Sequence, residues 1–175
     1  MKRFLLIILI LLLVASSSLA DQTFLDLNTF NLLFNYAAAM TKSGNVITEK
    51  NITGTLGEVN DVYQVSLTSN CLIQITTPHI DNYTGKLSDI NGIILFYVPN
   101  GKADSSMNFI YGMGEIALAT GAIQSTDDII PFLTELGVTD VLNQKDVSIN
   151  KTINGLKYSY SNSSVIGFMF TVSKP

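Results

Sequence analysis

Residues 148–173 read SINKTINGLKYSYSNSSVIGFMFTVS, and this stretch decides the fold class. Asn154-Gly155 is a strong type I′ hairpin signal, because both central positions of that turn need positive φ. It joins Ser148–Ile153 to Leu156–Ser161. Asn162-Ser163 predicts a second turn into Val165–Ser173, where Ile166, Phe168, Phe170 and Val172 share one face. The result is a three-stranded antiparallel meander.

Upstream, the same period recurs. Tyr63, Val65 and Leu67 alternate with polar residues, and so do Cys71, Ile73 and Ile75 beyond a Ser69-Asn70 turn. This is a hairpin with one buried face. Ile52–Val59 adds an earlier strand interrupted by Gly54 and Gly57. Ile93–Val98 is continuously apolar and stops at Pro99, as expected for a strand covered on both faces in mid-sheet.

Three segments have helical period instead. Phe24–Gly44 carries Phe30, Leu33, Phe34 and Ala37 at i, i+3, i+4 and i+7, a core-facing stripe. Asn28 or Thr29 is its expected cap, Leu27 the staple, and Gly44 its C′ residue. The second helix starts at a Ser105 or Ser106 cap, runs to about Thr120 with Phe109, Met113 and Ile116 inward, and closes at Gly121. The third ends at Gly137, with Pro131 in its first turn and Asp128 as the expected N-cap. Three helices packed on an antiparallel sheet make an α+β fold.

The first twenty residues read as an address. Lys2 and Arg3 precede the apolar run Leu5–Val14, and Ser18 and Ala20 suit a signal-peptidase site. Cleavage after Ala20 leaves residues 21–175 as one domain of ordinary size, with no membrane span. The expected location is periplasmic or extracellular, in a bacterial source. Arg3 is the only arginine, and without it and Lys2 the charge falls from -4 to -6. An acidic chain lacking guanidinium groups is a poor match for nucleic acid. The sequons at Asn51, Asn82, Asn150 and Asn162 are about as many as the composition produces by chance.

Few residues offer chemistry. His79 is the sole histidine and reads as a loop residue. Cys71, the sole thiol, lies at the far end of the preceding strand, more than about 20 Å away at 3.3 Å per residue. Its alternation with Ile73 and Ile75 predicts a buried free thiol in a monomer. Asp127-Asp128 suits capping rather than metal binding. Gly112-Met113-Gly114 suits close helix packing, because the dinucleotide fingerprint needs a preceding strand and a third glycine. No cofactor or metal is expected. Tyr158 and Tyr160 share a strand face and pack in the core or form a recognition patch.

These features point to a small exported, non-enzymatic binding module for a protein or small ligand, in an inhibitor, immunity or envelope accessory role. The alternative is a small hydrolase using carboxylates alone, marked by two carboxyl groups with separated pKa values in one pocket.

Overall fold

The computed structural model describes residues 23–79, 89–99, 103–141 and 143–175. The expected signal sequence and Asn82 lie outside them. The elements in chain order are β1 (Leu25–Asp26), α1 (Leu27–Thr41), β2 (Ile52–Thr55), β3 (Asn60–Thr68), β4 (Cys71–Pro78), β5 (Asp89–Ile90), β6 (Gly92–Tyr97) and α2 (Ala103–Ala119). A 3-10 turn (Thr126–Asp128) leads into α3 (Ile129–Leu136), α4 (Val138–Val141), β7 (Val147–Ile153), β8 (Leu156–Ser163) and β9 (Gly167–Ser173).

Seven strands form one antiparallel sheet in the order β2-β3-β4-β6-β9-β8-β7. The C-terminal meander is present, and Asn154 and Gly155 both have positive φ, 51° and 77°. β6 is the central strand, as its apolar run predicts. It is also the seam of the molecule, because β9 pairs along it from Gly92↔Ser173 to Tyr97↔Phe168.

The helices build the core against one sheet face. Phe30 and Phe34 of α1, and Met113 and Ile116 of α2, join Val65, Ile73, Ile75, Ile93, Leu95, Phe170 and Val172. Among the described residues, no sheet residue from the other face belongs to this cluster, so the described helices cover β6 on one side. On the other side Ile94 is half-buried, while Phe96 is buried in register with Leu72 and Met169.

Several boundaries differ from expectation. α1 begins at Leu27, because Asp26, not Asn28 or Thr29, caps it by accepting the Thr29 N–H at 2.9 Å. Phe24 and Leu25 instead pair with Ile90 in the small β1–β5 sheet. Lys42 takes the left-handed C-cap, and Gly44 adopts positive φ two residues later. β2 stops at Thr55, and the following loop is held by Gly57 N–H donating to Asp61. α2 starts before both candidate serines. Asp128 is the N-cap residue of α3, as expected, but makes no side-chain cap bond there; its carboxylate instead accepts the Ser125 N–H, while Ser125 caps the 3-10 turn by accepting from Asp127 N–H. α4 is a fourth, short helix after Gly137. β8 runs through Asn162-Ser163, so the last turn falls at residues 164–166, including Ile166.

The two glycines of α2 act by being small. A Cβ on Gly112 would sit 3.0 Å from Leu95 Cδ2. One on Gly114 would sit 2.6–2.8 Å from three side-chain carbons of Ile129 in α3. Gly114→Ala is therefore expected to destabilise the protein. The helix propensity gain of about 1 kcal/mol is outweighed by overpacking worth about 1–3 kcal/mol. An unchanged or higher denaturation midpoint would contradict this close contact.

Candidate functional site

α1 reads LNTFNLLFNYAAAMT, fifteen residues without one charge. Its buried stripe is Leu27, Phe30, Phe34, Ala37 and Ala38. Leu33, expected to join that stripe, faces outward. It falls in a second apolar stripe with Leu32, Tyr36 and Met40, at exposures of 38%, 70%, 66% and 55%. A helix apolar on two faces has one face too many for a single core. Exposed apolar residues gathered this way mark interaction surfaces, whereas scattered ones need no explanation.

Beside this stripe lies a groove of about 370 Å³. Leu33, Tyr36, Ala37 and Met40 form one wall, with Leu118, Gly121, Ile123, Gln124, Ser125 and Thr126 opposite. The second wall exists because α2 ends sharply. Gly121 has φ +77°, its N–H donates to Leu118 O, and Ala122 N–H donates to Ala117 O at 2.8 Å. That reversal brings residues 121–126 back alongside α1. The capping box at Ser125 then holds the far rim. The side chains lining the groove are apolar or neutral, so it offers contact area and a few hydrogen bonds.

The tyrosines considered as a recognition patch lie elsewhere and are corrected here: Tyr158 and Tyr160 are completely buried. Tyr158 packs edge-on to Phe132 at 5.6 Å, and its hydroxyl meets Thr120 Oγ1 at 3.0 Å. Tyr160 lies beside Phe168, and burial pushes its phenol up to about 12. Both face the helices, leaving no surface for a partner.

His79 is better partnered than its lone place in the sequence implied. Its Nδ1 meets Asp61 Oδ1 at 2.7 Å, and its backbone N–H donates to Val59 O. The hairpin register, with Asp61 opposite Thr77, brings these residues together across eighteen positions. Cys71 opens β4 at the opposite end and is buried. Loss of solvation, with the nearby Glu115, pushes its thiol up to about 12. A thiol held protonated and inaccessible is a poor nucleophile.

Three carboxyl groups bear on the hydrolase alternative. Asp26 and Asp89 are cross-strand neighbours lining a shallow polar depression. Asp26 is held below the usual carboxylate value by its hydrogen bonds from Thr29, so it is a poor proton donor. The carboxyl pushed upward is Glu115, by burial, and it is sealed in the core. Among the described residues, no group of three or more His, Cys, Asp or Glu is placed to hold a metal ion. No helix among them is long and apolar enough to cross a membrane.

Neither family models, nor curated proteins, nor solved structures give a match to this chain.

The sequence reading missed Leu32, Tyr36 and Met40. Their signal was present as an i, i+4, i+8 repeat offset from the core stripe, in a helix without charges.

Proposed function

We propose that this chain is an exported, non-enzymatic binding module that holds a protein partner on the α1 groove. The carrying observation is the uncharged stripe Leu32, Leu33, Tyr36 and Met40 beside a preformed apolar cavity. Burying such a stripe in a complex contributes about 25 cal/mol per Å² of apolar area removed from water, less the cost of association. The exposed Tyr36 is of a side-chain type that, with Trp and Arg, is enriched among residues that dominate such contacts. Export is supported by the leader pattern of residues 1–20. An inhibitor, immunity or accessory role fits a surface that binds without ionisable chemistry.

The carboxylate hydrolase is less well supported, because glycosidic chemistry needs one accessible carboxyl that keeps its proton. The raised carboxyl is buried and the depression's Asp26 is lowered.

The test is capture from the native envelope or medium, with single variants. Tyr36→Asp and Met40→Asp sit on the surface and are expected to fold, yet to weaken the captured complex by at least about tenfold. Val165→Asp, on the exposed last turn, and His79→Ala are expected to leave binding unchanged. A partner held equally well by Tyr36→Asp would sink this reading.

A further inference from the structure

We propose that His79 and Asp61 form a proton-operated clamp on the loop between β2 and β3, tight while the imidazole is protonated and slack once it is neutral. The inference is independent of the α1 groove. Three bonds converge on this loop, residues 56–59. Asp61 Oδ1 accepts the Gly57 N–H at 3.2 Å and meets His79 Nδ1 at 2.7 Å. The His79 backbone N–H donates to Val59 O at 2.9 Å. The loop therefore hangs from the residue that follows β4, partly through a single carboxylate oxygen. Its path is tight, since a Cβ on Gly57 would sit 2.2 Å from Asn60 O. It carries two exposed apolar side chains, Leu56 and Val59.

The pair is built so that one proton matters. The Asp61 side chain is 9% exposed and the imidazole 22%, so solvent reaches the base far more readily than the acid. Thr77, directly across from Asp61, gives the carboxylate no relief, because its hydroxyl is buried without a hydrogen-bond partner. A carboxylate this dry depends on its partner's charge. Protonated His79 supplies a charge-assisted bond, roughly twice as strong as a neutral one. Neutral His79 still donates from Nδ1 in one tautomer, so the contact keeps its geometry and loses its charge. The loop then slackens without the hairpin coming apart. Among the described residues, the other ionisable side chains on the adjoining segments are Glu58 in the loop and Asp89 on β5. Both are acids and favour the imidazolium in the same direction as Asp61. Asp81 and Lys86 follow in sequence, outside the described residues. The sign is fixed by the carboxylate, which holds the imidazole above its ordinary value of about 6.5 in the folded chain. The clamp's stabilisation is fully present below that value and is lost as pH rises through the raised one.

The experiment is an NMR titration of the full chain between about pH 5 and 9, where imidazoles change charge. The sole histidine makes the ring signals unambiguous. The expected proton affinity is at least about tenfold above that of an ordinary histidine, and it persists in about 1 M salt, which screens exposed charges but not buried pairs. Asp61→Asn keeps an acceptor for Gly57 and removes the charge, and is expected to return the affinity to the ordinary range. Glu58, Asp81, Lys86 and Asp89 remain in that variant, so their influence is separated from that of Asp61. The loop is read by amide exchange, corrected for the intrinsic pH dependence of the rate. Gly57 protection is expected to fall at least about threefold as the imidazole loses its proton, with the same midpoint. In Asp61→Asn that step disappears. An ordinary or lowered proton affinity in the parent overturns the proposal without recourse to any variant. A raised affinity indifferent to Asp61→Asn overturns it, as does Gly57 protection that takes no notice of the imidazole.

Discussion

Tyr158→Ala is expected to lower stability by about 3–5 kcal/mol, the usual range for truncating a fully buried aromatic ring. The ring is edge-on to Phe132 at 5.6 Å and tilted against Phe170 at 6.2 Å. It joins β8 to both β9 and α3, and its removal leaves a cavity where sheet meets helices. Tyr158→Phe separates the ring from its hydroxyl. Thr120 Oγ1 retains Ile116 O as acceptor at 2.7 Å, so the cost should be near 1 kcal/mol. Chemical denaturation midpoints, with the m-value checked for constancy, measure both. A Tyr158→Ala variant within about 0.5 kcal/mol of the parent, as for a surface change, would contradict this packing.

Glu115 is the second site of large effect. Thr41 Oγ1 lies 2.6 Å from Oε1, and Asn45 Nδ2 donates to Oε2 at 2.8 Å. Asn45 is itself fixed by Asn108, whose side-chain amide donates to Asn45 Oδ1 at 2.7 Å. The acid therefore ties the end of α1 and the residue Asn45 beyond it to α2. With a proton on Oε1, it donates to Thr41, and Thr41 passes its own hydrogen to Ala38 O at 3.2 Å. Glu115→Gln reproduces this neutral arrangement, with its amide toward Thr41 and its carbonyl toward Asn45. Glu115→Ala removes it. At any one pH, the Ala variant is expected to be about 2–4 kcal/mol less stable than the Gln variant.

The pH dependence has a defined sign. Burial raises the Glu115 pKa in the folded chain above the ordinary 4.5, so the folded state binds this proton more tightly than the unfolded state. The resulting stabilisation is fully present below 4.5 and is lost as pH rises through the raised value. Asp26 and Asp146 are lowered and titrate with the opposite sign. The informative quantity is therefore the difference between parent and Glu115→Gln. The parent should lose stability relative to Gln as pH climbs through that window. A difference that stays flat from acid to neutral pH would place the carboxylate's charge in a solvated site.

Of the candidate site's stripe, only Leu33 enters the sequence reading, and there as a core residue. The apolar repeat of α1 predicts one core stripe through Leu33. It is two stripes, and periodicity alone does not rank them, because each satisfies the same 3.6-residue spacing. Tyr158 and Tyr160 illustrate the converse. Alternation put them on one face with Leu156, but the identity of that face depends on where the helices pack.

The sequence by itself determined the local conformations. Alternation marked most of the principal strands, Asn154-Gly155 specified its turn, and Gly121 and Gly137 ended their helices in the left-handed region. These are short-range effects, set by side-chain period and by the φ a residue tolerates. The tertiary structure decided what depends on distant partners. It paired β6 with β9, joining two meanders into one sheet, and brought Asp61 to His79 across a hairpin. It also set Phe30 and Phe34, rather than Tyr36 and Met40, against the sheet. Each of those outcomes is a choice between faces or edges of similar local character. Only the burial gained when whole elements pack together separates the alternatives, and that free energy belongs to the assembled fold rather than to any window of the chain.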